Sequence, residues 1–395
     1  MVQDTEKLQL FGVAGDPISH SLSPKMINRA MESGNFHGYY LYLATDSMED
    51  VLGVMAFLEM SGCNITAPFK TSVPEKIDKF DTRVQQTGSA NLIVRQGEEW
   101  VGYNTDVNGV YQSLMEYKAD FQAYSVLIIG YGGAAYAAAY ACRMMQMQQY
   151  VTGKDPEKLA KFAEKTGCIP VDIEDIQQAV DRMDIIISTI PNNSLLLNQV
   201  TFGEQQIILD CSSSNTALEN KVTSRNAFYI SGKKWLLYQG CPSYKMFTSQ
   251  DAPVEVMNSV LQEENPQPKV FSIISTSEGV LHTATAHLTG FDNAVFFDLT
   301  ENSCSCRKLK KRIRKAQKQS YIVIIATTDA MRKDDFYDFI KDETFCFFLV
   351  SSKEKEKDAT LQNIRAFDVL LPTEMKTGAQ IATRIKKEIA NIRLL

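Results

Sequence analysis

Lys70, in NITAPFK, and Asp106, in YNTDVNG, are the residues of this chain best suited to move a proton. An ammonium and a carboxylate form an acid–base pair that can serve a reacting carbon–oxygen bond if both lie within reach of it. The neighbouring motifs offer hydroxyls and carboxamides rather than more charge. They are Ser21 and Ser23 in SHSLSP, Asn64 and Thr66 in NITAP, Asn91 in GSAN, and Asn104 in YNT. Such groups donate as well as accept hydrogen bonds, which suits a small polyhydroxylated ligand. Each also has a plainer reading: Ser23 can cap a helix, Lys70 can be a surface lysine, and Asn104 and Asp106 are turn formers. Their joint occurrence ahead of a glycine turn, GYGGAA, argues for a ligand site.

These groups must be positioned by strands and helices. LQLFGVAG reads as a strand, and SPKMINRAMESG as a helix with Ser23 at the N-cap and Pro24 at N1. GYYLYLAT and CNITAP are further strands flanking a helix over DVLGVMAFLEM, and SANLIVR with EWVGYNT forms an antiparallel pair across QGEE. The polar patches thus fall at strand ends or in the loops beyond, where α/β folds gather ligand groups.

A second block begins near residue 124. YSVLIIGYGGAAYAAAYACRMM predicts a buried strand, a glycine turn and an alanine-rich helix, followed by strands at QYVTG, MDIIIST, QQIILD and AFYIS. This alternation predicts a parallel sheet with helices on both faces. The pattern turns helical again near Trp235, and EENPQPK is a proline-punctuated linker. Beyond it, KVFSIIST, NAVFFDLT, YIVIIATT, TFCFFLVS and DVLLP are five more strand candidates. The expected class is α/β. An N-terminal α/β substrate domain (1–106, completed by helices over 235–262) precedes a Rossmann-type dinucleotide domain (107–234). A linker (263–268) then leads to a doubly wound (βα)5 flavodoxin-like domain (269–395).

Composition narrows the function classes. A chain of 395 residues exceeds one ordinary core, and a net charge of −6 gives no reason to expect nucleic acid or an anionic membrane surface. No apolar run approaches the roughly 20 residues of a membrane helix, and MVQDTEKLQL lacks a signal-peptide core, so a cytoplasmic protein is expected. The eight cysteines show no framework spacing; Cys304 and Cys306 alone are close, and His282 and His287 do not share a helix face. Free thiols and no metal are expected. The basic run RKLKKRIRKAQK (307–318) reads as a helix with a solvated face.

In the turn, Gly130 makes the tight bend. Gly132 and Gly133 let backbone approach a pyrophosphate seated on the helix that Ala134 continues. The end of the next strand, Thr152-Gly153-Lys154-Asp155, decides the cofactor. Lys154 and Lys158 favour the 2′-phosphate of NADP, whereas Asp155 suits the ribose hydroxyls of NAD; the balance leans to NADP.

With these motifs in hand, residues 8–262 resemble the shikimate dehydrogenase family, which interconverts 3-dehydroshikimate and shikimate. SLSP, N-x-T-x-P-F-K, N-T-D and G-x-G-G-A occur in the family's order, and WLLYQG resembles its late helix. The resemblance implies that Ser21 and Ser23 hold the substrate carboxylate. It further implies that Asn64, Asn91 and Gln239 bind ring hydroxyls supported by Thr66, and that Lys70 and Asp106 are the catalytic pair. The small-molecule substrate would be of the shikimate/3-dehydroshikimate class, and a homodimer is compatible with the reading.

Three departures bear on these expectations. Tyr131 stands where the family has a small residue and could crowd the pyrophosphate. Gly153-Lys154-Asp155 replaces an Asn-Arg-Thr clamp, and lysine lacks arginine's planar fork. A tyrosine expected near LDCSSSNT is missing, with Ser213 about in its place. Quinate or an amino-shikimate is therefore the alternative substrate, and a pocket-retaining binding or regulatory protein the alternative class. The last block lacks the phosphate loop of a shikimate kinase, the Asn-Gly-Pro-Asn motif of the compact dehydroquinase and the paired acids of a receiver domain. Its role is not legible in sequence.

Overall fold

The computed structural model describes residues 8–190, 195–212 and 216–263, then 270–275, 281, 283, 284, 286–288, 294–298, 315, 322–328, 344–350, 369–373 and 376–393. Cys304, Cys306, His282, Ser213 and all of the basic run 307–318 except Lys315 lie outside these residues. In chain order the strands are β1 (Gln9–Gly15), β2 (Gly38–Ala44), β3 (Gly62–Ile65), β4 (Lys79–Phe80), β5 (Leu92–Gln96) and β6 (Glu99–Tyr103). Then follow β7 (Ser125–Ile129), β8 (Gln148–Thr152), β9 (Ile169–Val171), β10 (Ile185–Ser188), β11 (Ile207–Asp210) and β12 (Phe228–Ile230). The C-terminal block contributes β13 (Val270–Ser275), β14 (Ala294–Asp298), β15 (Ile322–Thr328), β16 (Thr344–Val350) and β17 (Val369–Pro372). The chain divides into two compact units, one of residues 1–66 with 262–395 and one of residues 67–261.

In the second unit β7–β12 form a parallel sheet in the order β12-β11-β10-β7-β8-β9. Counted from β7, that is the 3-2-1-4-5-6 order of a dinucleotide-binding fold, with the switch point between β7 and β10. Period-2 alternation sends Val126 and Ile128 to one face and Leu127 and Ile129 to the other, so β7 is apolar throughout. The first face packs on the alanine-rich helix Gly133–Met144, whose small side chains admit close approach, and on Val107, Val110 and Leu114. The second packs on Val180, Leu197 and Val222. The hairpin β5–β6 is antiparallel, as its QGEE turn predicts.

In the first unit β2, β1 and β3 run parallel in that order. The five strands of the C-terminal block are also parallel, in the order β14-β15-β13-β16-β17. Numbered within the block this is 2-3-1-4-5, which differs from the flavodoxin-like 2-1-3-4-5. Nor does the block form a sheet of its own. β17 pairs with β2, Val369 beside Tyr42 and Leu370 beside Leu43, so one parallel sheet runs through the unit. A long-range edge pairing of this kind leaves no local trace in sequence, because both strands are simply apolar.

The first helix, Ser23–Ser33, begins one residue earlier than its Ser-Pro start suggests: Leu22 is the N-cap and no side chain caps the helix. The hydroxyl of Ser21 instead accepts from the Ser23 N–H at 3.3 Å, an ST-turn that takes over the capping role. No described helix is long and apolar enough to cross a membrane. Among the described residues no group of three or more His, Cys, Asp or Glu stands together as metal ligands would.

Candidate active site

Lys70 sits in a single 3₁₀ turn, Phe69–Thr71, anchored by buried Phe69, and Asp106 opens the helix Asp106–Tyr117 just beyond β6. The fold of the second unit brings their side chains together. Lys70 Nζ donates to Asp106 Oδ2 at 2.6 Å, with the two side chains only 16% and 6% exposed. The other carboxylate oxygen, Oδ1, accepts from Trp235 Nε1 at 3.0 Å. Asp106 therefore takes one donor on each oxygen, at the positive end of its own helix. The indole reaches it because the helix Gly232–Thr248 packs on Asp106–Tyr117 at Gly109, where a Cβ would stand 2.4 Å from Trp235 Cδ1.

Trp235 escapes a motif reading: it lies in WLLYQG, but that motif draws attention to Gln239. Replacing Trp235 by phenylalanine keeps the apolar contact and deletes one donor. We expect kcat to fall about tenfold, the worth of one charge-assisted hydrogen bond, with little change in KM, measured by steady-state turnover.

The glycine turn closes against the same pair. Gly130 has φ +113°, a conformation that L side chains rarely adopt, and a Cβ on Gly133 would lie 2.6 Å from Lys70 Cβ. At Gly132 a Cβ would meet nothing within 4 Å, so the backbone there faces open space. A phosphate-bearing group fits this turn: exposed backbone, a positive φ and a 12-residue helix starting at Gly133. Tyr131 does not fill the space. Its ring lies on Gly153, where a Cβ would be 2.3 Å from Tyr131 Cε1. The unusual tyrosine in the turn and the glycine in place of a clamp residue are thus one packing arrangement.

Of the remaining clamp residues, Asp155 is committed to its own helix. It caps Pro156–Thr166 by accepting from the N–H groups of Glu157 and Lys158, both at 3.1 Å. The Lys158 ammonium leans onto the same carboxylate at 3.4 Å. Backbone donation from Lys158 foremost, with its ammonium, holds this exposed carboxyl below the ordinary range. Lys154 is exposed and, among the described residues, its ammonium has no ion pair or hydrogen bond.

Cys211, just after β11, lies close enough to sense both members of the pair. Burial first, then the Asp210 charge, pushes its thiol up to about 12, so it stays protonated at neutral pH.

Asn91 and Gln239 meet in a buried amide network. Asn91 Nδ2 donates to Thr105 Oγ1 at 2.9 Å and to Gln239 Oε1 at 3.2 Å, while Asn91 Oδ1 accepts from the Thr105 N–H at 2.7 Å. Asn104 does a different job. Its amide donates to the Ser89 carbonyl at 2.8 Å and ties down the segment before Asn91, leaving its buried Oδ1 without a partner among the described residues.

In the first unit Ser21 and Ser23 follow β1, and Asn64 and Thr66 close β3, so all four lie at the carboxyl end of one parallel sheet. Tyr42 donates its hydroxyl to the Ser21 carbonyl at 3.1 Å, and Tyr40 donates to Asn64 Oδ1 at 2.7 Å. Thr66 is held at the strand end by its N–H bond to the Ala14 carbonyl at 2.9 Å.

Residues 13–93 match the family model of the shikimate dehydrogenase substrate binding domain. The shikimate dehydrogenase (NADP(+)) of Trichormus variabilis is 29% identical over 285 residues, which cover 66% of this chain and 98% of that protein. Among solved structures, a shikimate dehydrogenase in complex with NADP+ is 25% identical with a TM-score of 0.57, covering 64% of this chain and 94% of that one. The shikimate dehydrogenase of Aquifex aeolicus, at 24% identity and a TM-score of 0.61, shares the fold over 65% of this chain and 98% of its own. Over residues 13–93 the chain carries the sequence pattern of a shikimate dehydrogenase substrate binding domain, and about two thirds of it is similar to shikimate dehydrogenases.

Proposed function

We propose that the protein is an NADP-dependent shikimate dehydrogenase, reversibly reducing 3-dehydroshikimate to shikimate in chorismate and aromatic amino-acid biosynthesis. The observation that carries this reading is the Lys70–Asp106 ion pair at 2.6 Å packed against a glycine turn able to seat a dinucleotide. In the first unit Ser21 and Ser23 hold the substrate carboxylate, and Asn64, supported by Thr66, takes a ring hydroxyl. In the second, Asn91 and Gln239 take ring hydroxyls. Held on that turn, NADP(H) would supply the hydride exchanged with the ring carbon.

Reduction also requires a proton at the ketone oxygen, and the Lys70 ammonium delivers it. Asp106 holds the ammonium in place and balances its charge; in the reverse direction the lysine receives the proton. Gly130, Gly132, Gly133 and Ala134 seat the pyrophosphate. Lys154 supplies the cation for a 2′-phosphate, and Lys158 adds positive charge one turn on. With Asp155 occupied as a helix cap, its claim on a ribose weakens and NADP is favoured over NAD.

The domain boundaries we propose are 1–106 with 235–262 for substrate and 107–234 for cofactor, with 269–395 an added (βα)5 block. A cytoplasmic enzyme, working as a homodimer, completes the reading. Reduction of NADP+ and of NAD+ followed with shikimate and with quinate tests it. Shikimate with NADP+ is expected to give the highest kcat/KM. Turnover with quinate alone overturns the substrate assignment, and shikimate binding without turnover overturns the enzymatic one.

The Tyr131–Gly153 contact makes a further prediction. Gly153→Ala forces the tyrosine ring off its seat and over the turn, raising KM for NADP+ about tenfold, while KM for shikimate changes little. The double variant Tyr131→Ala/Gly153→Ala is expected to recover most of the loss, and additive effects in the kinetic cycle would refute the coupling.

A further inference from the structure

The loop between β1 and the helix Ser23–Ser33, Asp16 to Leu22, is held by a residue from the far end of the chain. The helix Gly378–Arg393 buries Ile381, Ile385 and Ile389 on one face, and Glu388 lies on that face too, with no exposed surface. Its carboxylate accepts from the Ser19 hydroxyl at 2.6 Å, from the Ser19 N–H at 2.9 Å and from the Ile18 N–H at 3.1 Å. The Ile18 carbonyl in turn accepts from the Ser21 N–H at 2.9 Å, and the Ser21 hydroxyl from the Ser23 N–H at 3.3 Å. An unbroken chain of hydrogen bonds therefore runs from Glu388 to the two serines.

Ion pairs fix the helix beside this loop. Arg384 bridges Asp16, at 2.5 Å, and Asp46, at 2.7 Å, which follow β1 and β2 respectively. Lys387 joins Asp16 at 2.9 Å, and Lys376 reaches Asp46 at 2.9 Å and Asp50 at 2.7 Å. The β2–β17 pairing anchors the same region through the backbone. A buried carboxylate whose partners among the described residues are amide and hydroxyl donors is not an arrangement that apolar packing alone produces. Desolvating the charge is repaid only if those donors stay in place.

We infer that Glu388 is a positioning residue for the substrate-carboxylate loop. The C-terminal block thus contributes to ring-substrate recognition by locking the Ile18–Ser19 peptide and, through it, the placement of Ser21 and Ser23. This inference rests on the proposed dehydrogenase activity and assigns a role to a block that carries no recognisable catalytic motif. It also gives Ser19, which the motif reading leaves idle, a function as receiver of the clamp.

The test uses the full chain with Glu388→Gln, Ser19→Ala and, as a control on the same helix, exposed Thr383→Ala. Glutamine keeps the shape and one acceptor oxygen, but it removes the charge that three donors share and sets an NH₂ group where Oε1 accepts from the Ile18 N–H at 3.3 Å, while Ser19→Ala removes only the hydroxyl contact. Expected is a rise in KM for shikimate of about tenfold or more in Glu388→Gln and a smaller rise in Ser19→Ala. KM for NADP+ and kcat should stay within about twofold, and the control should be unchanged. Amide exchange over residues 16–23 should quicken by a similar factor in Glu388→Gln. An unchanged shikimate KM in both folded variants overturns the inference. So does a proportional loss of all activity in Glu388→Gln with Ser19→Ala normal, since that marks a purely structural contact. If the unsubstituted chain fails to turn over shikimate, the dehydrogenase reading falls by itself. The amide-exchange result then decides the clamp separately, and unaltered protection in Glu388→Gln overturns it.

Discussion

Replacing Lys70 by alanine is expected to lower kcat by about a thousandfold while leaving NADP+ affinity within a few fold. In the proposed mechanism the ammonium carries the proton, and no other cation of the described structure is paired with Asp106. Its backbone contributes separately, since the Lys70 carbonyl accepts from the Ala90 N–H at 2.9 Å and is retained in the variant. The cofactor turn should persist, because removing atoms beyond Cβ leaves the Gly133 contact in place. Turnover with equilibrium cofactor binding on one preparation checks the split. Near-normal kcat would remove Lys70 from the mechanism. A parallel loss of cofactor binding would mean instead that the turn had collapsed.

Asp106→Asn should cost kcat about a hundredfold, for a reason the geometry makes specific. The carboxylate accepts Lys70 on one oxygen at 2.6 Å and Trp235 on the other at 3.0 Å. A carboxamide has one acceptor and must point its NH₂ group at a second donor, either the ammonium or the indole. One donor–donor conflict is unavoidable. Deleting the indole donor should relieve it, so Trp235→Phe/Asp106→Asn is predicted to be more active than Asp106→Asn alone, even though Trp235→Phe by itself is harmful. That sign reversal, read from a four-enzyme kinetic cycle, is one that loss of charge alone does not produce. If the double variant shows the sum of the two single losses, the two contacts are independent and the argument fails.

Much of the site was legible before any coordinates because its chemistry sits in short local motifs. Lys70, Asp106 and the turn at 130–133 each follow a strand and Asn91 immediately precedes one, and the apolar runs that mark those strands are strong local features. The parallel sheet with helices on both faces was likewise implied by the βα alternation after residue 124, whereas its strand order comes from the tertiary pairing. The helix start at Ser23 was off by a residue because an ST-turn at Ser21 serves where a side-chain cap was expected.

Other features had no local mark. Trp235 became part of the site through a contact 129 residues away, where its helix packs against Gly109. Tyr131 appeared to obstruct the turn until its ring was found on Gly153. Asp155 looked like a ribose ligand until its carboxylate was found capping a helix.

The sequence by itself determined the α/β class and singled out the polar and charged candidates for the site, because these follow from residue type, spacing and the period of apolar runs. Only the tertiary structure decided that β17 lies against β2 and that Glu388 grips Ile18 and Ser19 across 370 and 369 positions. The reason is physical: edge pairing and a buried carboxylate's choice of donors depend on which surfaces remain uncovered when the sheet assembles, and neighbours along the chain carry no record of that.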